Sequence, residues 1–163
     1  MSMHSRIFQI EDKPVSKEDR ICSETIPDWF TSSIADYVDD INEQYRDDDI
    51  EWLMGTNFGE VCKLDGDKIT FKVDVIDFFE SYFTRFMDAV KRLSDISIDQ
   101  FIDAFKHGSE SVDSLMFQLE KSYNDKRGFY VWYCDELYTM QEWMRQVKPS
   151  GAYYLGGIVD YHF

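Results

Sequence analysis

A chain of 163 residues with 32 acidic and 17 basic side chains, net −15, has the length of one domain and a charge that disfavours phosphate backbones and anionic lipid. Its three cysteines, Cys22, Cys62 and Cys134, are odd in number and widely spaced, which argues against a disulfide framework and predicts a reducing, cytoplasmic setting. The first twelve residues lack the apolar run of a leader, and the longest apolar run, Phe129 to Cys134, is six residues, so no membrane span is predicted.

Arg6 to Ile10 reads as a short strand, ended by Glu11, Asp12, Lys13 and Pro14. Pro27 and Asp28 open a predicted helix in which Trp29, Phe30, Ile34, Tyr37, Val38 and Ile41 recur at helical spacing. Glu43 to Glu51 is dominated by charge and leads into one helical turn through Trp52, Leu53 and Met54, closed by Gly55 and Gly59. Glu60 to Leu64 and Lys68 to Val73 flank Asp65-Gly66, the best short-range hairpin signal in the chain.

Val75 to Leu93 is the strongest helix signal. At about 100° per residue, Val75, Phe78, Phe79, Tyr82, Phe86 and Val90 fall on an apolar arc that covers half the circumference. Asp74 is placed to cap it, and Lys91 and Arg92 suit the negative end of its dipole. An arc that wide predicts contact with a sheet on one side and helices on the other. Ser97 with Gln100 opens a further helix through Ile98, Phe101, Ile102 and Phe105, stopped at His107-Gly108, and Ser111 caps another through Leu115, Leu119 and Tyr123. These three helices are expected to cover one side of a sheet.

Phe129 to Cys134 reads as a central strand buried on both faces. Glu136 to Lys148 carries Leu137, Met140, Trp143, Met144 and Val147 at helical spacing, with Thr139 and Glu142 as a cap. Ala152 to Phe163 reads as the last strand, with Tyr153, Leu155, Val159, Tyr161 and Phe163 facing one way and Tyr154, Ile158, Asp160 and His162 the other. Gly156-Gly157 marks a bulge or a close backbone approach. The expected fold is one α+β domain over 1–163, a mostly antiparallel sheet of about five strands with helices packed chiefly on one face.

Chemical motifs are sparse. Neither a P-loop nor a dinucleotide fingerprint occurs, and Gly108-Ser109-Glu110-Ser111 lacks the second glycine of a nucleophile elbow. A calcium loop opened by Asp47, Asp49 and Glu51 fails at Trp52, where glycine is needed, and at Phe58, where a bidentate glutamate is needed. His4, His107, His162 and the cysteines show no local zinc-ligand spacing, so no metal, cofactor or catalytic residue is assigned. Asp160 and His162, two apart on a strand, share a face where a carboxylate can tune an imidazole. Tyr130 and Trp132 also share a face, which is core if helices cover it and a ring surface if they do not. Trp132, Tyr154, Asp160 and His162 thus make a candidate pocket for a small molecule.

The charge is unevenly distributed: residues 11–51 hold fourteen Asp and Glu against four Lys and Arg. This composition resembles that of small acidic inhibitors, immunity proteins and DNA mimics, and predicts a non-enzymatic protein that docks a basic partner. The candidate docking residues are Asp36, Asp39, Asp40, Glu43, Asp47, Asp48, Asp49 and Glu51.

Overall fold

A computed structural model describes residues 3–103, 105 and 107–163. The chain divides into two compact units, one of residues 1–78 and 126–163 and the other of residues 79–125. The first is built on an open, mixed sheet of seven strands.

β1 (His4–Glu11) lies at the middle, parallel to β5 (Tyr130–Tyr133) and antiparallel to β7 (Ala152–His162). The far edge of β7 is shared by two partners. β4 (Lys68–Phe71) pairs with its first residues and β2 (Tyr37–Asp40) with its last. β3 (Cys62–Asp65) and β6 (Glu136–Thr139) complete the two ends. The fold is α+β, but the sheet has seven strands rather than five, and the β1/β5 pair makes it mixed.

Two segments expected as helix are strands. α1 (Asp28–Ser33) stops after six residues, and Tyr37–Asp40 pairs with β7 instead of continuing it. A continued helix sets Asp36 one turn from Asp40, a like-charge pair that disfavours it, whereas the strand gives Tyr37 and Val38 opposite faces to cover. Glu136–Thr139 forms a hairpin with β5 through Cys134 (φ 50°) and Asp135 (φ 61°), the two-residue turn with both centres left-handed. Cys-Asp is an uncommon pair for that turn, so the hairpin was hidden, and only α7 (Met140–Met144) remains of the expected helix, capped by Thr139 and Glu142 as read.

α2 (Arg46–Met54) is longer than the single turn expected. Its first turn is Asp47, Asp48 and Asp49, carboxylates that the positive end of a helix dipole favours. Asp49 and Leu53, one turn apart, are its buried residues, so Asp47, Asp48 and Glu51 face outward. α3 (Asn57–Val61) then leads into the Asp65-Gly66 hairpin.

Helices cover both faces of the sheet rather than one. On one face Ile7, Tyr130, Trp132, Val159 and Tyr161 pack with Phe30 of α1 and with Ile21 and Ile26 of the preceding 3-10 turns. Tyr130 and Trp132 are therefore core. The other face carries Phe8, Ile10 and Tyr153, with Trp143 of α7 at 5.4 Å from Tyr153 and Phe58 of α3 beyond it.

β7 bulges at its glycine pair. Phe8 faces Ile158 while Ile10 faces Leu155, so β7 holds one more residue than β1 across that step. The Gln9 side chain fills the bulge, its Oε1 accepting from the amides of Ile21 and Gly157 and its Nε2 donating to Asp19 O. A Cβ on Gly157 lies 2.6 Å from the Ile21 carbonyl oxygen, so only glycine fits there, and one on Gly156 lies 2.4 Å from Gln9 Oε1 and displaces that side chain from the bulge. The extra residue turns Tyr153 and Leu155 onto the face of Ile158, Asp160 and His162, and Tyr154 away from it, the reverse of the simple alternation.

Cys62 is fully buried in β3, and burial pushes its thiol up to about 12, while Cys22 and Cys134 are exposed. Ellman's reagent at pH 8 is expected to titrate two thiols in the folded protein and the third only in denaturant. Three rapid equivalents would show that the β3 edge opens.

In the unit of residues 79–125, α4 (Val75–Ser94) contributes all but its first four residues, and α5 (Ile98–Ile102) and α6 (Val112–Tyr123) follow. The caps are those read from sequence: Asp74 Oδ1 accepts from Ile76 N, the Ser97/Gln100 box closes, and Ser111 accepts from Ser114 N. Ala104 and Lys106, in the stretch expected to extend α5, lie outside the described residues. On α4 Phe78 and Ala89 are buried and Ile76, Phe83, Met87 and Val90 of the same apolar side are exposed, and of the helices that follow Leu115 is buried and Phe101 and Ile102 are exposed. No helix among the described residues is long and apolar enough to cross a membrane.

Candidate functional site

Three neighbouring strands bring polar side chains onto one face of the sheet. In the β1/β7 register His4 faces His162 and Arg6 faces Asp160; in the β2/β7 register Tyr37 faces His162 and Asp39 faces Asp160. Directly paired residues share a face, so six side chains from β2, β7 and β1 stand together.

Asp160 is the hub. Its Oδ2 lies 2.9 Å from His4 Nδ1 and 3.0 Å from His162 Nε2, and its Oδ1 accepts from Arg6 Nη1. Arg6 Nε donates to Asp49 Oδ1 at 2.7 Å, so α2 is tied to the sheet through a buried carboxylate. The guanidinium also stands 5.2 Å over the Trp52 ring. The Tyr37 ring stacks on His162 at 3.9 Å, and the His4 ring meets it at 3.6 Å. His162 is buried, while the His4 side chain is 53% exposed. Chemically, two imidazole nitrogens and one carboxylate oxygen converge, with a guanidinium holding the carboxylate from behind.

The other two members of the expected pocket are elsewhere. Trp132 lies on the opposite face, in the core with Ile7 and Val159, and the bulge turns Tyr154 away to pair between Glu11 and Lys68. His4, Arg6 and Tyr37 join Asp160 and His162 instead. The alternation His4, Arg6, Phe8 repeats that of His162, Asp160, Ile158, a signal that becomes readable only once β1 and β7 are known to pair.

The acidic residues divide into spent and unspent charge. Asp49 is buried against Arg6, Glu43 pairs with Arg20 at 2.9 Å, and Asp40 accepts from Ser23 N. The Arg20 guanidinium holds the Glu43 carboxyl below its usual range. Arg46 donates to Gly156 O at 2.6 Å and to Asp67 at 3.2 Å. A cavity of about 260 Å³ lies among Lys17, Arg20, Arg46, Asp40 and Glu43, so two of its cations are already engaged. Asp36, Asp39, Asp47, Asp48 and Glu51 are exposed, with no side-chain partner among the described residues. No family model, curated protein or solved structure matches the chain.

Proposed function

We propose that this is a cytoplasmic, non-enzymatic interaction protein that takes a basic protein partner on the acidic surface of β2 and α2. The observation that supports it is the charge left over after internal pairing. Arg6, Arg20 and Arg46, the arginines of this region, are engaged by the chain's own carboxylates and carbonyls, whereas Asp36, Asp39, Asp47, Asp48 and Glu51 face solvent unneutralised. A field of one sign speeds encounter with an oppositely charged protein, repels phosphate backbones, and weakens as salt shortens the Debye length to about 8 Å at physiological strength.

The test is capture of a basic protein from source-cell lysate by the immobilised chain, compared with the variant Asp36→Asn/Asp47→Asn/Asp48→Asn/Glu51→Gln. One basic protein, retained at low salt and lost with the variant while the variant melts as the parent does, is the expected result. Equal retention by both proteins, or none by either, overturns the reading. A second reading, a small-molecule or catalytic site at Asp160 and His162, is favoured by the convergence of His4 and Arg6 on the same carboxylate.

A further inference from the structure

We propose that His4, Asp160 and His162 form a binding site for a divalent transition-metal ion, with Zn²⁺ the best match. One donor atom from each residue lies within 4.8 Å of the other two. Two imidazoles and a carboxylate form a donor set that suits Zn²⁺, and three protein ligands leave a fourth tetrahedral position open. Donors on one such ion, with bonds of about 2.0–2.1 Å, stand roughly 3.3 Å apart. The histidine nitrogens are 2.9 and 3.0 Å from Asp160 Oδ2, within a few tenths of an ångström of that spacing, and the three donors together lie within 4.8 Å of one another.

The surrounding charge points the same way. Asp39 stands directly across from Asp160 on the adjacent strand, a like-charge pair that costs stability unless a cation lies nearby. Asp49 is 5% exposed, and its Oδ2 has no hydrogen-bond partner although it is buried. Against these three carboxylates stands one guanidinium, Arg6, beside the imidazoles of His4 and His162. Arg6 takes the Oδ1 side of Asp160 and leaves Oδ2 facing the imidazoles. The stacked Tyr37 ring restrains the plane of His162. The half-exposed His4 gives the ion a way in. Bound there, the ion clamps the two central strands across their register.

This proposal does not rest on the docking surface, since none of the four carboxylates neutralised in the capture test is a ligand. The test is titration of the tag-free, full-length protein with Co²⁺ and then Zn²⁺. One equivalent of Co²⁺ is expected to give the visible absorption of a four-coordinate ion, Zn²⁺ to displace it and raise the melting temperature. His4→Gln, at an exposed position, is expected to weaken binding at least about tenfold and to remove most of the Zn²⁺-dependent rise in melting temperature, while the metal-free variant still unfolds in one cooperative transition. Binding that is equally tight in His4→Gln, that disappears instead in Cys22→Ser/Cys134→Ser, or that fails to saturate below about 1 mM overturns the proposal.

Discussion

Replacement of Arg6 by methionine is expected to cost the fold about 3–5 kcal/mol, measured by urea unfolding, because it strands the buried Asp49 carboxylate and takes one of three partners from Asp160. The guanidinium bonds Asp49 Oδ1 at 2.7 Å and Asp160 Oδ1, and the Asp49 and Asp160 side chains are 6% and 13% exposed. Attraction within such a group roughly offsets the cost of drying it, so the loss comes from leaving Asp49 without a partner rather than from the pair's own strength. The control follows from the same physics. Adding Asp49→Leu to Arg6→Met removes one stranded charge and returns part of the stability, whereas two independent sites would simply add their losses. A loss below about 1 kcal/mol for Arg6→Met would mean that water reaches Asp49 and that α2 is held by Leu53, Trp52 and Arg46 without it.

Phe30→Ala is expected to be as costly, about 3–5 kcal/mol, with Phe30→Leu losing less than half of that. Phe30 is fully buried, with ring contacts to Tyr130 at 4.8 Å and to Tyr161 at 5.1 Å, both edge to face. α1 has six residues, too few to hold itself together by backbone bonds, and Phe30 is its only buried side chain. The truncation thus undoes the helix as well as opening a cavity. Amide exchange should then speed up across Tyr130–Tyr133 and the end of β7 before the Trp143 side of the sheet responds. Uniform acceleration over both faces would show that the covering segment melts only with the whole sheet.

Elements carrying a local chemical signal were legible in the sequence. The caps at Asp74, Ser97, Ser111 and Thr139, the glycine of the Asp65-Gly66 turn and the apolar runs of β5 and β7 each act within a few residues, and each is present. Short apolar segments were not, because five or six residues fit a period of 3.6 or of 2 equally well. Tyr37–Asp40 and Glu136–Thr139 took the strand solution only because β7 and β5 stood ready to pair with them. The site split the same way. Asp160 and His162 are neighbours on one strand and could be read together, whereas His4 meets Asp160 across 156 positions, beyond any spacing rule for metal ligands. Asp49, indistinguishable from Asp47 and Asp48 in composition, is set apart only by being one helical turn from Leu53.

The glycine pair of β7 also divides that strand into two stretches of opposite parity. On its C-terminal side even-numbered residues meet Arg6 and His4; on its N-terminal side odd-numbered residues meet Trp143 and Phe71. Removing one glycine leaves Leu155 and Ile158 two positions apart, the spacing of Ile10 and Phe8 opposite them, so the bulge closes and both stretches keep the faces they have. Removing both makes Leu155 and Ile158 neighbours and rolls Ala152–Leu155 over, driving Tyr153 out of its aromatic nest and Tyr154 into it. Loss of the one bulged residue is therefore compatible with the faces of this strand and loss of the pair is not, a restriction set by the direction side chains point and not by the chemistry of any one of them.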